Sequence, residues 1–471
     1  MAVLETPMLI GIVCALQSLE MSPFSVETER RSLRNGIIAY TLASDAGQSM
    51  VGPPWRQSLQ ISPRGKHVAR CTSQRHQNLH RNFQTLRIAA LLFVTLTCCL
   101  RSQAYSGPYA AARPVVAAYV FAENRALTPG EIDGKKLTRV NYAFANIAEG
   151  RIVEGAPTDA ANLAALTALK KDNPQLTVLV SVGGWLWSGR FSDAALTPAS
   201  RAVFIDSVEA FITRYHLDGL DVDWEYPGMS GAGNTFRPED KQTYTLLLKD
   251  LRHRFDRMAG ELHRPLYLTI AAGASSEFLE HTEMSVVAKY VDTVNLMAYD
   301  YYEPENGKPT GNHAPLFTDP ADPKAVSADR SVREFENAGV AARKLVLGVP
   351  FYGHVWGQVP ATNHGLFQPG QPVPNVYANY AAIASTMLGH DYSRYWDAAA
   401  SVPFLYNAEK QIFVSYEDPE SLTAKCKYVK KQHLKGVMFW DYEGDPSGVL
   451  LDAIDTALKS GSYAHDRRKA Q

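Results

Sequence analysis

Cysteine is scarce in this 471-residue chain, with Cys14, Cys71, Cys98, Cys99 and Cys426 its only five. The first four lie before or inside a segment expected to be removed, so the mature chain would keep one thiol. That excludes an intrachain disulfide framework and a cysteine-based zinc site, and it leaves Cys426 as an expected small buried hydrophobe on a helix. An excess of one charge is lacking too: 47 basic against 48 acidic residues give a formal net charge of −1. No overall field draws nucleic acid or an anionic membrane, and a neutral substrate fits that balance. The apolar run 88–100 (IAALLFVTLTCCL) is too short for a bilayer span, which needs about 20 residues. Arg81 and Arg87 precede it and Ser102-Gln103-Ala104 follow, so residues 82–104 are read as an export signal cleaved after Ala104. Residues 1–81 show little periodic pattern and are expected to be an unstructured leader or a misassigned start.

From residue 114 the chain turns to short β-rich runs separated by amphipathic helical stretches, the texture of consecutive βα units. Strands are predicted at 115–120, 138–146, 176–182, 218–223, 267–272, 291–298, 344–350 and 436–440. Helices are predicted at 159–171, 198–214, 239–258, 323–341, 418–432 and 446–459. The runs LTVLVSV, KLVLGVP and GVMFW are continuously apolar, as parallel strands buried on both faces require. Eight such units imply an α/β fold, a (β/α)8 TIM barrel, with its first part at 105–353 and its last at 418–471. The connection between strand seven and helix seven is too long for a structureless loop. With the strand-like VPFLY and QIFVSY near its end, 354–417 is expected to be a small α+β insertion subdomain.

The run Asp218-Gly219-Leu220-Asp221-Val222-Asp223-Trp224-Glu225-Tyr226-Pro227 carries the strongest chemical signal. Side chains two apart on a strand share a face, so Asp221, Asp223 and Glu225 would project into the closed sheet and climb to its C-terminal rim. Carboxylates packed together away from water cannot all ionise cheaply; a shared proton and a raised pKa are expected. A merely structural strand has no need of such an arrangement. A divalent metal is the sharper rival, but no histidine stands at ligand spacing nearby, and Trp224 and Tyr226 make the rim aromatic. No metal and no cofactor are expected.

This run resembles, residue for residue, the DGxDxDWE signature of family 18 glycoside hydrolases, the chitinase family. The resemblance extends to Ser181-Val182-Gly183-Gly184-Trp185, Asn295-Leu296-Met297-Ala298-Tyr299-Asp300, Gly348-Val349-Pro350-Phe351-Tyr352-Gly353 and Gly436-Val437-Met438-Phe439-Trp440, in order along the predicted strands. It implies retaining, substrate-assisted hydrolysis of β-1,4-linked N-acetylglucosamine polymers such as chitin, distinct from the usual two-carboxylate scheme. Glu225 would protonate the glycosidic oxygen. The substrate's acetamide carbonyl would then attack C1, and the resulting oxazolinium ion would be opened by a water that Glu225 deprotonates. Asp223 would bond the acetamide N–H and share a proton with Asp221, and Tyr299 would donate to the acetamide oxygen.

The same resemblance places Trp440 beneath the sugar ring, Met297 against the acetyl methyl, Asp300 on the sugar and Trp185 on the leaving-group side. Tyr119 and Ser181 would bond the inner aspartate, and Phe144 joins the substrate-binding group. Non-proline cis peptides are implied at Ala143-Phe144, Glu225-Tyr226 and Trp440-Asp441. Four positions depart from the family pattern. Tyr301-Tyr302 stands where a Gly and a Trp often follow the aspartate, so either tyrosine is a candidate for the missing aromatic; His354 stands for an Arg, and Val120 for a second aromatic. Competing readings are an endo-β-N-acetylglucosaminidase acting on N-glycans and a non-catalytic lectin, although lectin relatives typically lose the glutamate present here as Glu225. The expected partner is chitin or a chito-oligosaccharide, with no nucleic acid and, after signal cleavage, no membrane; a secreted monomer is expected.

Overall fold

The computed structural model describes residues 113–460 apart from 375 and 377. The leader and the export signal expected from the sequence lie outside the described residues.

Seven barrel strands come first: β1 (Val115–Phe121), β2 (Arg139–Ala148) with its short hairpin partner β3 (Arg151–Val153), β4 (Thr177–Gly183), β5 (Gly219–Asp223), β6 (Tyr267–Gly273), β7 (Thr293–Met297) and β8 (Leu345–Pro350). An excursion follows through β9 (Tyr352–Gly357), β10 (Gln371–Pro372), β11 (Ala378–Asn379), β12 (Ser393–Asp397), β13 (Val402–Asn407) and β14 (Ile412–Ser415). The chain then returns to the barrel as β15 (Gly436–Trp440). The barrel strands run parallel in the order β1-β15-β8-β7-β6-β5-β4-β2, and β1 also pairs with β2, so the sheet closes into a (β/α)8 barrel. The excursion builds a separate antiparallel sheet, β10-β9-β14-β13-β12, with β11 on β9.

Why the strands read as unbroken apolar runs is visible in their two faces. On β1, Val116, Ala118 and Val120 pack outward into the main hydrophobic core, while Val115, Ala117 and Tyr119 fill the barrel interior with Val346 and Met438. Each fully buried aliphatic side chain contributes about 1.5–3 kcal/mol. Val120 therefore belongs to the core, and Phe121, one residue on, supplies the aromatic surface at the strand end.

The helices are α1 (Asp159–Ala168), α2 (Phe191–Leu196), α3 (Pro198–Tyr215), α4 (Asp240–Leu262), α5 (Ser276–Glu280), α6 (Met284–Tyr290), α7 (Ala328–Asn337), α8 (Tyr380–Thr386), α9 (Pro419–Lys431) and α10 (Val449–Lys459). Thr197 with Ser200 and Asp418 with Ser421 form reciprocal caps at the starts of α3 and α9, each followed by a proline in the first turn. The helix predicted at 323–341 is shorter, because Ser327 accepts from the Arg330 backbone N–H and sets the start at Ala328. Cys426 is buried on α9. Among the described residues no helix is long and apolar enough to cross a membrane.

Candidate active site

The C-terminal ends of the barrel strands open into a cavity of about 640 Å³, lined among others by Tyr119, Phe144, Asp223, Glu225, Met297, Tyr299 and Trp440. The end of β4 must pass close to the end of β5 for this mouth to form. Gly183, at φ +103, makes that approach: a Cβ there would lie 2.3 Å from the Asp223 carbonyl oxygen. Ser188 ties the same junction, donating to the Asp223 carbonyl at 3.0 Å while its Oγ accepts from the Glu225 backbone N–H at 2.9 Å. The peptides Ala143-Phe144, Glu225-Tyr226 and Trp440-Asp441 are cis.

Asp221 lies deepest of the three carboxylates and is fully buried. Ser181 and Thr269 occupy the same register on the strands flanking β5. Both hydroxyls donate to Asp221, Ser181 at 2.8 Å. Tyr119 donates from across the barrel at 2.8 Å, and Asn295 Nδ2 at 3.0 Å. Below them Arg139, also buried, donates to Thr293 at 2.8 Å and sets a positive charge beside Asp221. Burial pushes the Asp221 pKa up, and the Thr269, Tyr119 and Ser181 hydrogen bonds oppose that rise. Ser181 is fully buried beneath the cavity, and its hydroxyl bonds the inner aspartate, Asp221.

Asp223 is the middle rung and is treated differently. Its Oδ1 is buried without a hydrogen-bond partner. Burial, then the neighbouring Glu225 and Asp221, push its pKa well above the carboxylate range. Glu225 tops the ladder at 9% exposure. Burial lifts its pKa to about 7, with the Tyr226 hydroxyl opposing and the Asp300 charge adding. At neutral pH it can therefore hold a proton or release one, as a group that alternates between acid and base must. Tyr299 stays a phenol, its pKa pushed well above 10 by burial and then by Asp300, Asp223 and Glu225.

Aromatic rings make up the rest of the wall. Trp440 stacks on Phe144 at 5.4 Å between centroids and leans on Tyr119 at 5.8 Å and Phe121 at 5.6 Å. Trp185 stands 52% exposed at the mouth with its edge towards Tyr226. Of the two tyrosines after Asp300, Tyr302 turns inward to the core of the excursion sheet and is 1% exposed, whereas Tyr301 lines the cavity. Tyr302 is thereby removed as a replacement aromatic.

Asp300 sits on the rim with its side chain 35% exposed. The Tyr352 hydroxyl donates to both of its oxygens at 2.7 Å, and His354 Nε2 lies 2.8 Å from Oδ1. Burial works to raise its pKa, but His313 and His354 more than offset this and hold it below the carboxylate range. Burial depresses His313 itself to about 4.

The sequence assigns no role to Thr269, Arg139 and Ser188, nor to Asn295 beyond its place in a motif. The signal for Thr269, Asn295 and Arg139 was a polar residue inside an apolar strand, at inward-facing period-two positions.

Residues 115–445 match the family model described as glycosyl hydrolases family 18. Chitinase A1 of Niallia circulans is 37% identical over 395 residues, which are 70% of this chain and 56% of that protein; the chain thus spans little more than half the length of this relative. Chitinase B of Serratia marcescens is 30% identical over 406 residues, 72% of this chain and 79% of that protein. The solved structure of a family 18 N-acetylglucosaminidase from Paenibacillus barengoltzii superposes with a TM-score of 0.67 at 41% identity, covering 73% of this chain and 99% of that one. The family match runs from the first barrel strand past the last and so takes in the whole carboxylate ladder with the walls around it; this chain belongs to family 18 of the glycosyl hydrolases.

Proposed function

We propose that the protein is a chitinase that hydrolyses β-1,4-linked N-acetylglucosamine polymers or oligomers with retention of configuration. The observation that carries this reading is the buried Glu225 standing above Asp223, whose buried Oδ1 has no hydrogen-bond partner, at the wall of an aromatic cavity. Glu225 gives its proton to the glycosidic oxygen as the C1–O bond breaks. The acetamide carbonyl oxygen of the same sugar forms a bond to C1, and the positive charge spreads over the oxazolinium ring. Asp223 passes the proton it shares to Asp221 and accepts from the acetamide N–H, so that its unmet acceptor and its negative charge stabilise that cation. Glu225, now ionised, removes a proton from water as the water oxygen attacks C1 on the face the leaving group left, and the C1–O bond of the oxazolinium ring breaks to restore the acetamide. Tyr299, kept protonated, donates to the acetamide oxygen; Met297 packs on the acetyl methyl, and Trp440 on the ring above it. Trp185 and Asp300 extend the contact along the cleft.

The apolar run at 88–100, with Arg81 and Arg87 before it and Ser102-Gln103-Ala104 after it, supports action outside the cell, after export. A second reading, release of single N-acetylglucosamine units from chain ends, is favoured by the likeness to the Paenibacillus barengoltzii N-acetylglucosaminidase. Both are tested by one experiment: the full chain and a Glu225→Gln variant are given a chito-oligosaccharide of four to six sugars, and product anomers and sizes are followed by proton NMR. Early β-anomers from the wild type and near-silence from the variant are expected. Early α-anomers, or an equally active variant, would sink the mechanism; monosaccharide as the first product selects the second reading, and binding without cleavage by both proteins selects a lectin.

A further inference from the structure

Three side chains distant in sequence meet at the edge of the cleft: Asp300 after β7, His313 in the connection before α7, and His354 on β9 of the excursion sheet. One donor atom from each lies within 4.8 Å of the other two. His354 Nε2 is 2.8 Å, and His313 Nδ1 3.6 Å, from the same carboxylate oxygen, Oδ1 of Asp300. His313 is fully buried; its Nε2 has no hydrogen-bond partner, and its Nδ1 faces only Asp300 Oδ1, at 3.6 Å, beyond the length of an ordinary hydrogen bond. Buried polar atoms are rarely left so, since each unmet group costs about 1–3 kcal/mol. The rings of His354, at 4.9 Å, and Tyr352, at 5.5 Å, pack against His313 at steep angles.

We propose that Asp300, His313 and His354 form a site for a divalent transition-metal ion of the zinc type. Two imidazoles and a carboxylate are a donor set that suits Zn²⁺. Bonds of about 2.0–2.2 Å place tetrahedral ligand atoms roughly 3.3–3.5 Å apart. The separations of 2.8 Å and 3.6 Å around Asp300 Oδ1 bracket that spacing, and the two histidine donors lie within 4.8 Å of each other. Tyr352, donating to both carboxylate oxygens, is the outer partner that orients the ligand. Asp300 and Tyr352 also line the catalytic cavity. A metal held here occupies the carboxylate that the proposed function assigns to the sugar, so it acts as an inhibitor that weakens substrate binding. This consequence rests on the chitinase reading; the metal site does not.

The test uses the full chain, stripped with a chelator and titrated with Co²⁺ by visible absorption and with Zn²⁺ by equilibrium dialysis. About one ion per chain is expected, with the visible bands of tetrahedral nitrogen and oxygen ligation. His354→Gln and His313→Gln should each weaken binding by about tenfold or more. Circular dichroism checks both folds, and if His313→Gln does not fold, the partly exposed His354 decides alone. Absence of stoichiometric binding, or affinity unchanged in His354→Gln, overturns the site. With chito-oligosaccharide, Zn²⁺ should raise KM several-fold with kcat nearly constant, reversibly on adding chelator. A metal-loaded protein with unaltered KM overturns the inhibition; Co²⁺ bands from a protein that cleaves no chito-oligosaccharide support the site and refute the chitinase reading.

Discussion

Asp221 and Asp223 sit two residues apart on one face of β5, and the barrel surrounds them in opposite ways. Asp221 receives hydrogen bonds from Tyr119, Ser181, Thr269 and Asn295, drawn from four other strands. Asp223, 4% exposed, keeps a buried oxygen with no partner at all. A carboxyl saturated by donors from four strands is held in place, since any movement would strand several polar groups at once. One that lacks donors is held ready for a donor brought by something else. The identity of the residue is the same at both rungs; the difference lies in what the neighbouring strands carry at the matching register.

The comparison breaks most visibly at the top of the ladder. Glu225→Gln removes the transferable proton, and kcat on chito-oligosaccharide should fall by about 10²–10⁴. Asp223→Asn replaces the unmet acceptor with an amide that cannot carry the charge, and a loss in kcat of about 10²–10³ is expected with KM little changed. An Asp223→Asn enzyme within tenfold of wild type would contradict the role given to its free oxygen. At the saturated rung the balance should reverse. Asn295→Ala strips one donor from Asp221 and from the Tyr119 hydroxyl, which it also reaches at 3.1 Å. Denaturant unfolding should report a loss of about 1–3 kcal/mol, whereas kcat should fall far less than in Asp223→Asn.

Much of the barrel was legible in the sequence because burial on both faces leaves a direct trace: LTVLVSV and KLVLGVP admit no other sheet. The ladder was legible because period two is a property of one strand. Thr269 and Asn295 were not, since a polar residue inside an apolar strand acquires meaning only when the register sets it beside Asp221, and register is a relation between strands. The Asp300 cluster is harder still: its His354 partner lies 54 residues away, across the junction between barrel and excursion sheet. Tyr302 shows the converse error, an aromatic that fits a cleft by position but is drawn into the excursion core, where Trp356 and Phe413 lie.

Stability offers a further way to sharpen the contrast. Glu225 has a folded pKa of about 7 against an ordinary value of 4.5. Its raised value means that the native state holds a proton which the unfolded chain releases, so the stability it lends is complete at acid pH and lost as pH rises through about 7. Glu225→Gln is free of that dependence. The variant should be more stable than the wild type at about pH 8, by up to about 3 kcal/mol, and the two should converge near pH 4. Parallel unfolding curves with no crossing trend would mean that the carboxyl is not desolvated.

The smallest expected effects concern the two neighbours that tune the same group. The Tyr226 hydroxyl lowers the Glu225 pKa and the Asp300 charge raises it. A general acid must carry its proton into the reaction, so kcat/KM should fall as pH climbs through about 7. Tyr226→Phe removes the lowering influence and should move that limb to higher pH. Asp300→Asn removes the raising one and should move it lower, each by a fraction of a pH unit. The two variants are informative as a pair: loss of a sugar contact alone changes the height of the profile, whereas only electrostatic coupling to Glu225 displaces its basic limb in opposite directions. Shifts of the same sign would show that the limb belongs to another group, with Asp441, which burial also lifts to about 7, the first to examine.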